Sequence, residues 1–252
     1  LAGSPGPVSI IHHPDVRRML MSMRSQTEAA RALAYVGAAI SDVAHHHPDT
    51  EVRAESLATY EYLVPVIKGW ATEMSQDVTR DGVQVHGGMG FIEETGAAQH
   101  YRDAKILTIY EGTTAIQAND LVGRKTVRDG GAVAKAIIAQ VRATEAQLGE
   151  LSGADFQAMQ RHLAEGSAAL EAVVEYVVAN MKTDIKAVFA GSVPYLKLAG
   201  IVLGGWQMAR AAVAAQQKLG EGSGDASFYN AKIATARFFA DHILSQAPGL
   251  RA

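Results

Sequence analysis

Apolar and small side chains at Val16, Leu20, Met23, Ala30, Ala34 and Gly37 recur at spacings of three, four and seven, marking one face of a long helix from Pro14 to His47. Pro14 suits its first turn, where a missing N–H costs nothing. Asp15 puts negative charge beside the N-terminal dipole, and His45-His46-His47-Pro48 closes the helix. A second helical pattern runs from Asp49 to Gly87, with Pro65 inside it; the lost backbone donor predicts a kink or a division there. Gly87-Gly88-Met89-Gly90 ends it. Shorter helices follow over 95–104 and 113–125, with Ile109-Tyr110-Glu111-Gly112 as a non-helical elbow between them. Asp129-Gly130-Gly131 marks a boundary. Beyond it an alanine-rich pattern predicts helices over 132–148, 154–184, 193–219 and 226–245. No alternating run is long enough for a strand, and no repeat suggests a solenoid. The reading is all-α: an up-and-down helical bundle over residues 1–128, then a second helical bundle over 129–252.

Composition narrows the function. With 252 residues, of which 48% are hydrophobic and 19% charged, the chain can bury a large core. A net charge of −3 gives no positive field for nucleic acid or anionic lipid. The absence of cysteine excludes a disulfide framework, a thiolate zinc site and a cysteine nucleophile, and fits a reducing, cytoplasmic compartment. No unbroken apolar run reaches about 18 residues, so no membrane segment is expected. Leu1-Ala2-Gly3-Ser4-Pro5-Gly6-Pro7 lacks a basic and an apolar leader region and reads like an interdomain linker, so a fragment of a longer protein is expected. The three consecutive histidines point about 100° apart on a helix and cannot converge on one ion, so no metal is expected.

Chemistry concentrates between Gln84 and Lys125. In Gln84-Val85-His86-Gly87-Gly88-Met89-Gly90 a glycine cluster lets backbone approach another group, with Gln84 able to fix it; a nucleotide fits, and so does a simple helix C-cap. Glu111 follows Ile109 and Tyr110, apolar surroundings that would move a carboxylate pKa toward neutrality and suit a base. Gly112 leaves space above it, and Thr113 can cap the next helix. The local pattern alone leaves open that Glu111 merely completes a helix N-terminus.

The order of three motifs decides between these. The Gln84–Gly90 turn, then Arg102-Asp103-Ala104-Lys105-Ile106, then Ile109-Tyr110-Glu111-Gly112-Thr113 resembles the C-terminal helical domain of the acyl-CoA dehydrogenase family. Ile11-His12-His13-Pro14-Asp15-Val16 extends the likeness, which covers roughly residues 8–127. The remainder resembles the extra helical domain of longer bacterial members through Val193-Pro194-Tyr195-Leu196, Gly204-Gly205-Trp206 and Ala231–Phe238. There, Gly204 and Gly205 read as close helix packing against a large side chain.

The resemblance implies a flavin enzyme acting on an acyl-CoA thioester. Glu111 would remove the α proton and FAD would accept the β hydride, with the Glu111 N–H helping to hold the thioester oxygen and Gly112 on the substrate side. Gln84, Val85, His86, Gly87 and Gly88 would meet the adenosine diphosphate end of FAD, commonly that of a neighbouring subunit, and Thr113 the FAD beside Glu111. Ala115 and Pro14 stand where many members carry glutamine, so those contacts are not carried over. Arg102 and Asp103 are expected to brace the elbow and Tyr110 to shape the pocket. Electron-transferring flavoprotein and a second copy, as a homo-oligomer with a dimer favoured, are the implied partners, and the chain alone is expected to be inactive. An acyl-CoA oxidase-like enzyme, separable by flavin reoxidation with oxygen, and a non-catalytic helical assembly module, separable by an indifferent Glu111→Gln, remain open.

Overall fold

The computed structural model describes residues 3–110 and 113–251, and every regular element among them is helical. Two long antiparallel helices open it: α1 (Pro14–His46) and α2 (Thr50–Val85), about 50 Å each at 1.5 Å per residue. Pro14 is the first residue of α1, and the Asp49 carboxylate caps α2 by accepting from the Glu51 N–H at 2.8 Å. Gly37 lets the two approach, since a Cβ there would lie 2.8 Å from the Ile67 side chain.

Helix α2 continues through Pro65 without the division that was one of the two expected outcomes. A proline in a helix interior costs about 3 kcal/mol. Here it is itself buried beside Tyr62, Leu63 and Val66, so the packing of that face offsets the missing hydrogen bond.

After α2 come α3 (Gly88–Phe91), α4 (Ala97–Ile106) and α5 (Thr114–Asp120). α5 runs into a π-helical stretch over Leu121–Val127, where the Thr126 hydroxyl donates to the Leu121 carbonyl at 2.8 Å. The rest is α6 (Ala132–Gly149), α7 (Ala154–Asn180), α8 (Ile185–Ala190), α9 (Ser192–Gly220), α10 (Ala226–His242) and α11 (Ala247–Arg251). The region expected as one helix over 154–184 therefore turns after Asn180, and α8 follows with the Asp184 carboxylate accepting from the Ala187 N–H at 3.0 Å.

α9 is the central helix. By length and composition it could cross a membrane, yet its most apolar stretch is mostly buried between its neighbours, which is the pattern of a core helix. Trp70 of α2 lies in a notch on α9: a Cβ on Gly200 would sit 2.0 Å from Trp70 Cγ, and one on Gly204 would sit 2.7 Å from the far edge of the ring. Gly205 faces Leu244 and Phe239 instead. The close packing expected at Gly204-Gly205 is present, but the indole that needs it is Trp70; Trp206 points away and donates from Nε1 to Thr144 Oγ1 at 2.8 Å.

Polar groups bridge the same seam. Tyr62 and Tyr195 share a hydroxyl hydrogen bond of 2.9 Å, Thr126 lies 2.9 Å from the Tyr195 hydroxyl, and all three are buried. Lys232 of α10 reaches Glu28 of α1 at 2.8 Å. One hydrophobic core runs from Ala29 and Leu33 through Trp70 to Leu196 and Phe239.

Candidate active site

The glycine turn closes α2. Gln84 and Val85 form its last turn, His86 caps it with Nδ1 2.8 Å from the Gly82 carbonyl, and Gly87 takes φ +60°. That conformation favours glycine. Gly90 is required for another reason: a Cβ there would lie 2.2 Å from the Val83 carbonyl oxygen. Around Gly87 and Gly88, by contrast, nothing stands within 4 Å of an added Cβ, so the outer side of the turn is bare backbone. Phe91 beside it is 81% exposed. A hollow of about 630 Å³ lies against the turn, between Val83, Phe91, Ile92, Ala98, Tyr101 and Arg102.

Arg102 grips Glu93 with both guanidinium nitrogens, the Nη2–Oε2 contact being 2.9 Å. The pair holds the Glu93 carboxyl below its usual range. It braces the short turn Glu93–Thr95 against α4, since the two residues face each other across the connection into α4. Asp103 is exposed.

The elbow begins as a turn after α4, with the Ile109 and Tyr110 N–H groups both bonded to the Ile106 carbonyl. Tyr110 is 50% exposed and Ile109 52%. Glu111 and Gly112 lie outside the described residues. Thr113 occupies the N-cap position of α5, half-buried, but its side chain makes no capping bond, contrary to expectation: at φ −48° and ψ 163° the position is right and the hydroxyl is not engaged with the helix. The next residue carries the contact, Thr114 donating its hydroxyl to the Glu73 carboxylate on α2. One turn before Glu73, Gly69 admits both Leu196 of α9 and the Gln117 stem of α5, at 2.5 and 3.2 Å from an added Cβ.

Thr114 lies against Glu73, and Gln84 comes eleven residues later on the same helix, about 17 Å away along the axis. A cleft of about 560 Å³ between α1, α2, α9 and α10 opens beside Glu73 and Thr114, with Arg18, Asp77, Arg80 and Lys197 on its walls.

Comparison with known proteins gives the family. The description "Acyl-CoA dehydrogenase, C-terminal domain" matches residues 6–126, and "Acetyl-CoA dehydrogenase C-terminal like" matches 137–252. The chain belongs to the acyl-CoA dehydrogenase family. It is 52% identical over 237 residues to 3-methylmercaptopropionyl-CoA dehydrogenase of Ruegeria pomeroyi, covering 94% of this chain and 40% of the relative. It is 35% identical over 245 residues to the broad-specificity linear acyl-CoA dehydrogenase FadE5 of Mycobacterium tuberculosis, covering 94% and 40%. A crystal structure of an acyl-CoA dehydrogenase complexed with FAD from Bacillus anthracis shares the fold, with a TM-score of 0.69 at 17% identity, over 96% of this chain and 42% of that one. The chain therefore spans about 40% of the length of these acyl-CoA dehydrogenase relatives, consistent with their C-terminal part.

Sequence reading had no signal for Glu73, Trp70 or the Tyr62–Tyr195–Thr126 cluster. None belongs to a motif, and each acquires its role from a partner 41 to 133 residues away or from a glycine notch.

Proposed function

We propose that this chain is the C-terminal part of a flavin-dependent acyl-CoA dehydrogenase, in which Glu111 removes the α proton of an acyl-CoA thioester as the β hydride leaves. The observation that carries the reading is the ordered set of turn, Arg-Asp-Ala-Lys-Ile helix and elbow, on a chain 52% identical to a named dehydrogenase.

The chain's surface fits a flavin nucleotide at two places. The bare backbone at Gly87 and Gly88 offers a flank that any larger side chain would cover, suiting the adenosine diphosphate end. The exposed Ile109 and Tyr110 and the unengaged hydroxyl of Thr113 offer an apolar and polar rim at the elbow. As the resemblance to the family implies, one bound FAD would meet the elbow of one copy and the turn of another. Bound FAD would supply the acceptor for the β hydride. Glu111 has the other half of the chemistry. A carbon acid this weak needs a base of raised pKa, and burial of the elbow by the rest of the protein would raise it. As the carboxylate takes the proton, the C–H pair collapses toward the thioester carbonyl, whose developing charge the Glu111 N–H would meet, as the resemblance implies. Loss of the proton and hydride together leaves a carbon–carbon double bond.

The acyl group is taken to be short. The identity to the 3-methylmercaptopropionyl-CoA enzyme exceeds that to the FadE5 and butyryl-CoA relatives, which are 30–35% identical, and this favours a thioether-bearing chain. Electron-transferring flavoprotein is the proposed oxidant of the reduced enzyme; one relative is named as a subunit of a reductase–Etf complex. The test is anaerobic titration of the intact gene product with a panel containing 3-methylmercaptopropionyl-CoA, butyryl-CoA and a long-chain acyl-CoA. A yellow protein bleached most efficiently by the first is expected; a colourless protein, or one that no thioester bleaches, contradicts the proposal.

A further inference from the structure

A hollow of about 550 Å³ opens where α1 and α6 pack on α9. Ser56 on its edge precedes Glu73 by seventeen residues of α2, about 25 Å along the axis, so it is remote from the cleft beside Thr114. Val36, Ile40 and Val43 recur at spacings of four and three and form one stripe of α1, which gives the hollow an apolar wall about 10 Å long. Ala143 of α6 adds a small side chain to the lining. Among the described residues a single charged group lines the hollow, Arg210 of α9, and no carboxylate pairs with it.

That arginine is held in place. Its Nη1 donates at 2.8 Å to Oε1 of Gln207, a residue only 4% exposed, and the guanidinium carbon lies 5.5 Å from the centre of the Trp206 ring. The indole is fixed in turn, since its Nε1 donates to Thr144 at 2.8 Å. Nε and Nη2 of Arg210 make no hydrogen bond among the described residues. Two donors of a planar fork thus stand free beside an apolar wall.

We infer that this hollow is a binding site for an aliphatic carboxylate, with the carboxylate on Arg210 and the chain along Val36, Ile40 and Val43. A guanidinium fork matches both oxygens of a carboxylate, and charge-assisted bonds of this kind are stronger than neutral ones. The apolar wall takes the chain out of water. No acid in the lining repels the anion, whereas a cation meets only Arg210 and a neutral alcohol leaves the fork unpaired, so the carboxylate is selected over both. The volume falls among those of small-molecule sites, which favour junctions between packed units. Because Gln207 and Trp206 already hold the arginine, little side-chain freedom is lost on binding. The inference does not depend on the proposed role of Glu111.

The test is calorimetric titration of the intact gene product with octanoate, 1-octanol and octylamine, in the parent, Arg210→Gln, Arg210→Lys and Ala143→Phe, with thermal midpoints read alongside. Octanoate should show a saturable binding event in the parent that Arg210→Gln weakens by about 10- to 100-fold, the range of a hydrogen-bonded charge. Arg210→Lys should fall between the two, because the charge stays while the fork is lost. Ala143→Phe, which fills the hollow from an exposed position of α6, should remove the same event with the thermal midpoint unchanged. Octanol and octylamine should bind the parent no better than they bind Arg210→Gln. Absence of saturable octanoate binding in the parent would overturn the assignment. So would octanoate bound at parent affinity in both Arg210→Gln and Ala143→Phe, which would place it elsewhere in the protein, or octanol bound as well as octanoate. Should Arg210→Gln lower the thermal midpoint, Ala143→Phe decides alone, and parent affinity there contradicts the site.

Discussion

At the scale of single residues, the buried hydroxyl cluster makes the sharpest physical statement. Burial pushes the Tyr195 phenol up to about 12, against hydrogen bonds from Thr126 and Tyr62 that pull it down, and burial pushes Tyr62 well above its usual value. A phenol whose pKa is raised on folding stabilises the fold fully below the unfolded value near 10, and that stability is lost as the pH climbs toward the folded value. Denaturant midpoints measured from pH 8 to 12 should therefore be flat to about pH 10 and fall above it. In Tyr195→Phe the fall should be shallower. The same variant should cost about 1–3 kcal/mol at neutral pH, since it leaves the Tyr62 hydroxyl without its buried partner. A Tyr195→Phe protein as stable as the parent, with an unchanged alkaline limb, would show that the cluster is not as closed as its distances indicate. None of this was legible in the sequence. Tyr62 and Tyr195 lie 133 residues apart, and neither a periodic pattern nor a motif marks a tyrosine whose hydroxyl faces inward.

At the scale of elements, the pairing of α2 with α9 holds the two halves together through a large side chain in a small-residue notch. Gly200→Ala places a methyl group 2.0 Å from Trp70 Cγ and 2.5 Å from its Cβ, close to backbone that cannot move aside freely. Overpacking of this kind costs about 1–3 kcal/mol and sometimes more. Gly220→Ala, at the end of the same helix with nothing within 4 Å, should be neutral or gain up to about 1 kcal/mol from helix propensity. Chemical denaturation of the two variants separates packing from propensity, and similar midpoints for both would remove the notch from the explanation. Helix positions were readable beforehand because the apolar period and the glycine punctuation fix them locally: α1, α6 and α9 fall within a residue or so of their expected bounds. Local reasoning leaves a kink and a division both open at Pro65 and misses the turn after Asn180. At Pro65 a buried face outweighs a lost hydrogen bond, and beyond Asn180 an aspartate cap starts a new helix inside what looked like one. The notch was half legible: two adjacent glycines announced close packing, while the indole that meets Gly204 comes from Trp70 on α2.

At the scale of the whole molecule, residues 1–128 and 129–252 are proposed as two domains, and they share a seam made of Trp70, Leu196, the tyrosine pair and the Glu28–Lys232 ion pair. Residues 1–128 expressed alone would expose Trp70, Tyr62 and Leu33, and are expected to self-associate and bind a hydrophobic dye. A monomeric, well-folded 1–128 piece would argue against the seam as a stabilising interface. The site is legible to the same uneven degree. The turn and elbow motifs name their residues from sequence alone, but only the fold shows that Glu73, against which Thr114 lies, and Gln84 stand about 17 Å apart along α2. The 252-residue chain, spanning about 40% of its relatives' length, is expected to show no dehydrogenase turnover by itself.

The assignment of Glu111 as the base is tested most directly by single-turnover reduction of the intact, flavin-loaded gene product, parent against Glu111→Gln, with 3-methylmercaptopropionyl-CoA under anaerobic conditions. Removing a general base costs about 10²- to 10⁴-fold. Bleaching of the flavin should slow by at least that much in Glu111→Gln, with flavin content and thioester binding retained. Bleaching at the parent rate would contradict the assignment and leave the elbow a structural turn.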